Sequence, residues 1–221
     1  MSQNKWYIVE GNIGSGKTTL LEKLNDNEHF EVIREPVNLW LNIKGSDGKN
    51  LLQEFYEEPE RYAYLFQTMV FKTRLESLDY QQNKPIRFSE RSIWTDRYVF
   101  GKSCVDSNKM NKLETNCYQF WFNWLEDKFW KKPDGIIYLR ASPEKCMKRM
   151  TERARNEESS VPLDYLTELH DYHENWLSKW TTTPVLIVDN ENDDDWNTVL
   201  DQVNQFIISS NSNHTGYNYP V

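Results

Sequence analysis

Five short apolar runs punctuate the chain, at residues 5–10, 30–33, 85–89, 135–139 and 184–188. Between them the hydrophobic positions change to helical spacing. Helical segments are predicted at 19–24, from about 60 to 82, at 111–130, 143–153 and 163–180, and from the polar loop 189–195 on to Ile208. Strands alternating with helices imply an α/β fold, a parallel sheet covered by helices on both faces. Residues 1–208 read as a single domain, and the polar tail 209–221 is expected to be disordered.

Two strand ends carry carboxylates. Pro36 biases Glu35 towards extended backbone at the end of the second strand. The third strand ends at Glu90-Arg91-Ser92, with Asp96-Arg97-Tyr98-Val99-Phe100 just beyond. In open parallel sheets this edge is where ligands bind. Pro59 suits the first turn of the helix 60–82, where Tyr62, Leu65, Phe66 and Met69 recur at helical spacing. Gln67, Val70 and Arg74 share a face of that helix, read either as a solvated stripe or as a binding surface. Leu113, Cys117, Phe120, Trp121 and Trp124 form one face of the next helix and suggest core or subunit packing.

Further on, Arg149 and Arg153 share a helix face. Arg155 would point away if the helix continued, so the chain is expected to leave the helix near Arg153. It would then fold over as a basic lid, about 149–160. The competing reading is a surface charge cluster. His170 and His173 lie at i, i+3, but nothing completes a metal site, and both read as ordinary core or surface histidines.

Composition narrows the function. The net charge of −8 disfavours a general nucleic-acid binder, which would be basic. Cys104, Cys117 and Cys146 have no CxxC spacing and read as reduced thiols in an intracellular, cytoplasmic protein. No apolar run approaches a membrane span, and no secretory or transit segment is expected ahead of residue 11.

The chemistry concentrates in Gly11-Asn12-Ile13-Gly14-Ser15-Gly16-Lys17-Thr18, followed by Thr19. This Gly-x4-Gly-Lys-Thr loop stands between a strand and a helix, the context of a phosphate-binding loop. Its backbone N–H groups and the helix dipole would cradle anions. Lys17 would bridge the outer phosphates, and the Thr18 hydroxyl would bind magnesium. Phosphoryl transfer then needs a carboxylate base, for which Glu35 is the candidate, and a metal carboxylate, Glu90. It also needs cations, for which Arg91, Arg149, Arg153 and Arg155 are available.

Several segments together resemble the deoxyribonucleoside kinase family, and most closely its deoxycytidine and deoxyguanosine kinase branch. They are the loop with Glu10 before it, Glu35-Pro36-Val37 with Trp40, Phe66-Gln67-Thr68, Glu90-Arg91-Ser92, Asp96-Arg97-Tyr98, and 153–158 followed by Pro162-Leu163. The resemblance implies a P-loop kinase fold with a five-stranded parallel sheet, ATP with Mg2+ as phosphoryl donor, and a homodimer packed through helices. It implies a role in nucleotide salvage, with a deoxynucleoside as the acceptor. By resemblance, Glu35 is the general base on the 5′-hydroxyl with Arg91 beside it. Gln67 reads the base and Phe100 stacks on it, while Trp40 and Phe66 are further walls. Tyr56 and Glu158 hold the sugar 3′-hydroxyl, and Arg149, Arg153 and Arg155 cover the phosphates. Arg74 and Asp96 match the charged pair of that branch, whereas Val70 resembles thymidine-accepting relatives. Deoxycytidine and purine deoxynucleosides are favoured over thymidine. One rival is a nucleoside monophosphate kinase, although Glu35 would repel a 5′-monophosphate. Another is an inactive kinase fold serving as a structural subunit, although Lys17, Thr18, Glu35, Glu90 and Arg91 are all present.

Overall fold

A computed structural model describes residues 4–79, 81–128, 131–192 and 195–212. In chain order the elements begin β1 (Lys5–Glu10), α1 (Lys17–Leu24), β2 (Phe30–Ile33), α2 (Val37–Asn42), α3 (Leu51–Glu57), α4 (Pro59–Leu78) and β3 (Ile86–Glu90). A three-residue helix α5 (Ile93–Thr95) runs into a π-helical turn, Asp96–Phe100, and then α6 (Gly101–Asp106). There follow α7 (Lys112–Lys128), β4 (Gly135–Arg140), α8 (Pro143–Arg153), a 3-10 turn at Asn156–Glu158, α9 (Leu163–Leu177), β5 (Val185–Asp189) and α10 (Trp196–Ser212).

The five strands form one parallel sheet in the order β2-β3-β1-β4-β5. β1 lies at the centre, where the chain switches from building one side of the sheet to building the other. The crevice beyond its carboxyl end is therefore a binding position. Alternate residues of β1 enter two cores. Ile8 packs with Ile136, Tyr138, Phe71, Tyr118 and Leu166 on one face. Tyr7 and Val9 pack with Phe88, Ile137, Leu139, Leu20 and Val203 on the other. Burial on both faces is why the strand reads as a continuous apolar run.

The strands fall where the pattern places them, with β3 and β5 each one residue later and β4 one residue longer. Four helices differ from expectation. α1 begins at Lys17, two residues early. α4 stops at Leu78 rather than near Gln82, because the Gln82 amide instead donates to the carbonyls of Lys5, Lys84 and Pro85. α9 ends at Leu177, three residues early. α10 continues to Ser212, so the polar tail does not begin at residue 209, and its remainder lies outside the described residues.

α7 starts after a reciprocal cap, with Asn111 Oδ1 accepting from Glu114 N at 3.0 Å and Asn111 N donating to Glu114 Oε2 at 2.8 Å. Its buried residues are Tyr118, Phe122 and Leu125. The stripe of Leu113, Cys117, Phe120, Trp121 and Trp124 is exposed, with Phe120 at 77%. This excludes core packing within the chain as its role. The expected end of the helix, residues 129–130, lies outside the described residues. No helix among the described residues is long and apolar enough to cross a membrane.

Candidate active site

The loop after β1 is shaped by what presses on it. Gly14 has φ +78°, and a Cβ there would lie 2.4 Å from the Cys146 carbonyl oxygen of α8. Glycine is thus required twice over, by backbone conformation and by contact. Asn12 ties the loop to α9 through its amide on the Leu166 carbonyl at 2.8 Å. Lys17 Nζ donates to the Asn12 carbonyl at 2.7 Å. Burial, assisted by Arg91, lowers the Lys17 amine to about 8. Ile13, Gly14, Gly16, Lys17, Thr18 and Thr19 line one pocket of about 450 Å³. Gly11, Asn12 and Ser15 brace the loop from outside that lining.

The same pocket receives both strand-end carboxylates and a set of buried arginines. Arg74 makes a two-pronged pair with Asp96, Nε to Oδ2 at 2.8 Å and Nη2 to Oδ1 at 2.9 Å. Its Nη2 also donates to Glu35 Oε1 at 3.1 Å, and Nη1 donates to the Glu90 carbonyl at 3.0 Å. Arg91 Nη1 stands 3.6 Å from the same Glu35 oxygen. Burial works to raise the Glu35 carboxyl, but Arg91, Arg74 and Lys17 outweigh it and hold Glu35 below its ordinary range. Glu35 therefore stays ionised at neutral pH. Its contribution to stability is present above the ordinary carboxylate range and is lost as pH falls through the lowered pKa. Burial likewise opposes the charge on Arg74, and Asp96 and Glu35 overcome it.

Gln67, Val70 and Arg74, the shared face of α4, are all buried. The solvated-stripe reading is thereby excluded. The side-chain oxygen of Gln67 has no hydrogen-bond partner in the fold, although it is buried. Such a group calls for a ligand or water. Aromatic walls surround it. Phe66 stacks on Phe55 at 4.5 Å and meets Trp40 edge-on at 5.2 Å, while the Arg91 guanidinium lies 4.5 Å over the Phe100 ring. Tyr56, Val37 and Leu52 complete the lining.

The basic segment leaves its helix as the charge spacing predicts. α8 ends at Arg153, and Ala154 adopts a left-handed conformation, φ 52°. That reversal lets Arg153 and Arg155 converge on the buried Glu158. Arg153 Nη2 pairs with Oε2, and Arg155 Nη1 donates to Oε1 at 2.7 Å. Arg149 lies nearer the phosphate loop, donating to the Asn190 carbonyl at 2.8 Å and to the Ser15 carbonyl at 3.4 Å. All three arginines line the pocket.

Several pocket residues escape sequence reading. α2 and α3 are too short for periodicity to reveal. Even so, Asn50 before Leu51-Leu52-x-x-Phe55 is a cap signal, and its Oδ1 does accept from Gln53 N at 2.9 Å. These helices bring Val37, Leu52 and Phe55 to the site. Asn50 Nδ2 also donates to Glu157 at 2.8 Å, tying α3 to the 3-10 turn after α8. Trp196 opens α10 and joins the lining beside Gly16. Asn190 braces the loop through Ser15 O at 2.8 Å.

Among the described residues there is no cluster of three or more His, Cys, Asp or Glu suited to a metal. His173 is buried, with Nδ1 2.7 Å from the Leu169 carbonyl. A nucleotide-borne magnesium needs less from the protein, since it keeps water and phosphate ligands. Thr18 Oγ1 and Glu90 Oε1, 3.3 Å apart at the loop, fit that need.

The Arg74 network has a measurable consequence. Asp96→Ala should cost roughly 3 kcal/mol in chemical denaturation, because it leaves a buried guanidinium short of its main partner. Arg74→Met combined with Asp96→Ala should cost less than the single change. A double variant at least as destabilised as Asp96→Ala would show that the pair is not mutually dependent.

The deoxynucleoside kinase family model matches residues 7–208. Human deoxycytidine kinase is 36% identical, over 92% of this chain and 91% of its own length. A probable deoxycytidine kinase of fowlpox virus is 38% identical, over 94% and 90%. The mitochondrial deoxyguanosine kinase of Xenopus laevis is 37% identical, over 86% and 83%. With the match spanning the phosphate loop, both strand-end carboxylates and the arginine-rich segment 149–155, the chain belongs to the deoxynucleoside kinase family of ATP-dependent phosphotransferases.

Proposed function

We propose that the chain transfers the γ-phosphoryl group of ATP to the 5′-hydroxyl of deoxycytidine or a purine deoxynucleoside in preference to thymidine. The observation that carries this is Glu35 in one pocket with Lys17 and Thr18, bracketed by Arg74 and Arg91, cations that hold its carboxyl below the ordinary range. An anion at that point suits a neutral hydroxyl acceptor and repels a 5′-monophosphate. This weighs against a monophosphate kinase.

In this reading the acceptor hydroxyl lies against Glu35, with Arg91 orienting the carboxylate. As the oxygen–phosphorus bond forms and ADP departs, the hydroxyl proton passes to Glu35. A carboxylate with a lowered pKa is a weak base. That suffices, because a loose phosphoryl transition state asks for little early deprotonation and much positioning. Lys17, Arg149, Arg153 and Arg155 take up charge on the transferred group. Magnesium, held through Thr18 and Glu90, would neutralise phosphate charge when bound. Tyr56 and Glu158 serve the sugar.

The base rests among Trp40, Phe66 and Phe100. Gln67 offers both a donor and an acceptor to its edge. Arg74 and Asp96 present a charged wall where thymine would bring its 5-methyl group, beside Val70. A site built around polar contacts rejects analogues that leave them unpaired. Relatives named for deoxycytidine and deoxyguanosine support the same choice.

The exposed α7 stripe, adjoined by Tyr64 of α4, supports a homodimer, since contiguous exposed apolar surface marks an interface.

Three measurements follow. A panel of the four deoxynucleosides with ATP and magnesium should rank thymidine last in kcat/KM; thymidine ranking first would overturn the base assignment. Glu35→Gln should lower kcat by about 10²–10⁴-fold, with much less change in nucleoside binding. A variant with nearly full kcat would remove Glu35 from the base role. By sedimentation the wild type should be a dimer, and Phe120→Glu with Trp121→Glu a folded monomer. A monomeric wild type at micromolar concentration would refute the interface.

A further inference from the structure

Glu10 is the last residue of β1 and stands immediately before the phosphate loop. Its side chain, however, turns to the segment after β3. It is fully buried. Ser92 Oγ donates to its Oε1 at 2.8 Å, and Thr95 Oγ1 lies 2.5 Å from Oε1 and 2.6 Å from Oε2. Arg91 and Arg74 act on it only at longer range. Burial pushes its carboxyl up to about 7, against the pull of the two hydroxyls. A carboxylate retained in such surroundings is costly unless its hydrogen bonds do something else.

What those hydroxyls do is close a turn. Ser92 Oγ accepts from Thr95 N at 3.4 Å, and Ser92 N donates to Thr95 Oγ1 at 3.1 Å, a reciprocal cap on α5. Each hydroxyl has one proton, and sending it to Glu10 leaves the oxygen's lone pairs for the backbone N–H groups. The residue before Ser92 is Arg91, held at φ 63°, an unfavourable conformation for a long side chain. The residue after Thr95 is Asp96. The turn thus fixes the arginine that faces Glu35 and the carboxylate that holds Arg74.

We propose that Glu10 is a positioning residue for the acceptor side of the site, acting through Ser92 and Thr95 on Arg91 and Asp96. This rests on the acceptor-site reading given above. A Gln at position 10 would keep the shape, but its amide would present hydrogens where the Ser92 and Thr95 hydroxyls now donate. The turn would have to readjust, carrying Arg91 and Asp96 with it. A displacement of about 1 Å can cost about 10²-fold in rate.

The test is steady-state kinetics of Glu10→Gln with both substrates varied, alongside Ser92→Ala, Thr95→Val and their combinations with Glu10→Gln. For Glu10→Gln we expect kcat to fall about 10- to 100-fold and the deoxynucleoside KM to rise. The KM for ATP should stay within about two-fold, the part of the expectation set by acceptor-side positioning alone. Combined variants should lose little more than Glu10→Gln does, because the three groups act as one unit. If Glu10→Gln does not fold, Ser92→Ala and Thr95→Val must show the same acceptor-side split. An effect mainly on the KM for ATP, additive losses, or unchanged kinetics would each overturn the proposal. If wild type phosphorylates no deoxynucleoside, the acceptor-site reading itself has failed. Activity with an ATP-side effect would sink the Glu10 proposal alone.

Discussion

Arg74 is the cation on which the pocket depends. Its guanidinium reaches Asp96 with two nitrogens, Glu35 with one of those again, and the Glu90 carbonyl with the third. Three separate segments, the end of β2, the end of β3 and the π-helical turn, are thereby joined to α4. Only a planar fork of fixed donors can satisfy acceptors in these directions at once, and a lysine ammonium could not. The side chains of Arg74 and Asp96 are buried, and that of Glu35 is 13% exposed. Their charges are therefore strongly coupled, and the loss of any one member leaves the others in a low-dielectric site.

That coupling joins recognition to chemistry. Asp96 and Glu35 share one guanidinium, so in the proposed function the group that would face the base and the group that would meet the hydroxyl are mechanically one unit. Arg91 reaches the same Glu35 oxygen from the strand end and lies over Phe100. The left-handed backbone at Arg91 is tolerated because what surrounds it is anchored. Its N–H bonds the Val9 carbonyl at 2.9 Å, and the turn after it is capped. The segment after α8 follows a similar logic, where the turn at Ala154 brings two arginines onto one carboxylate.

Much of this was legible in the sequence because the relevant signals are local. Apolar runs placed every strand to within a residue. Pro36 announced Glu35 at a strand end, and the spacing of Arg149, Arg153 and Arg155 announced the break after Arg153. Gln67, Val70 and Arg74 were correctly put on one face, but whether that face was wet or buried depends on Asp96 and Glu35, which arrive from elsewhere in the chain. Likewise the α7 stripe reads as core or subunit packing, and the choice waits on Tyr118, Phe122 and Leu125 proving to be the residues that face inward. α2 and α3 are shorter than periodicity can detect, and with them went Val37, Leu52 and Phe55. Glu10 could be read only as a strand residue, because its partners are more than eighty positions away.

The claim that most of this account rests on is that two arginines hold Glu35 ionised. Its carboxyl can be titrated directly by 13C NMR, with the signal assigned by its loss in Glu35→Gln. A midpoint below about 4.3, the ordinary glutamate value, is expected. A midpoint at or above that value would contradict a Glu35 held by Arg74 and Arg91.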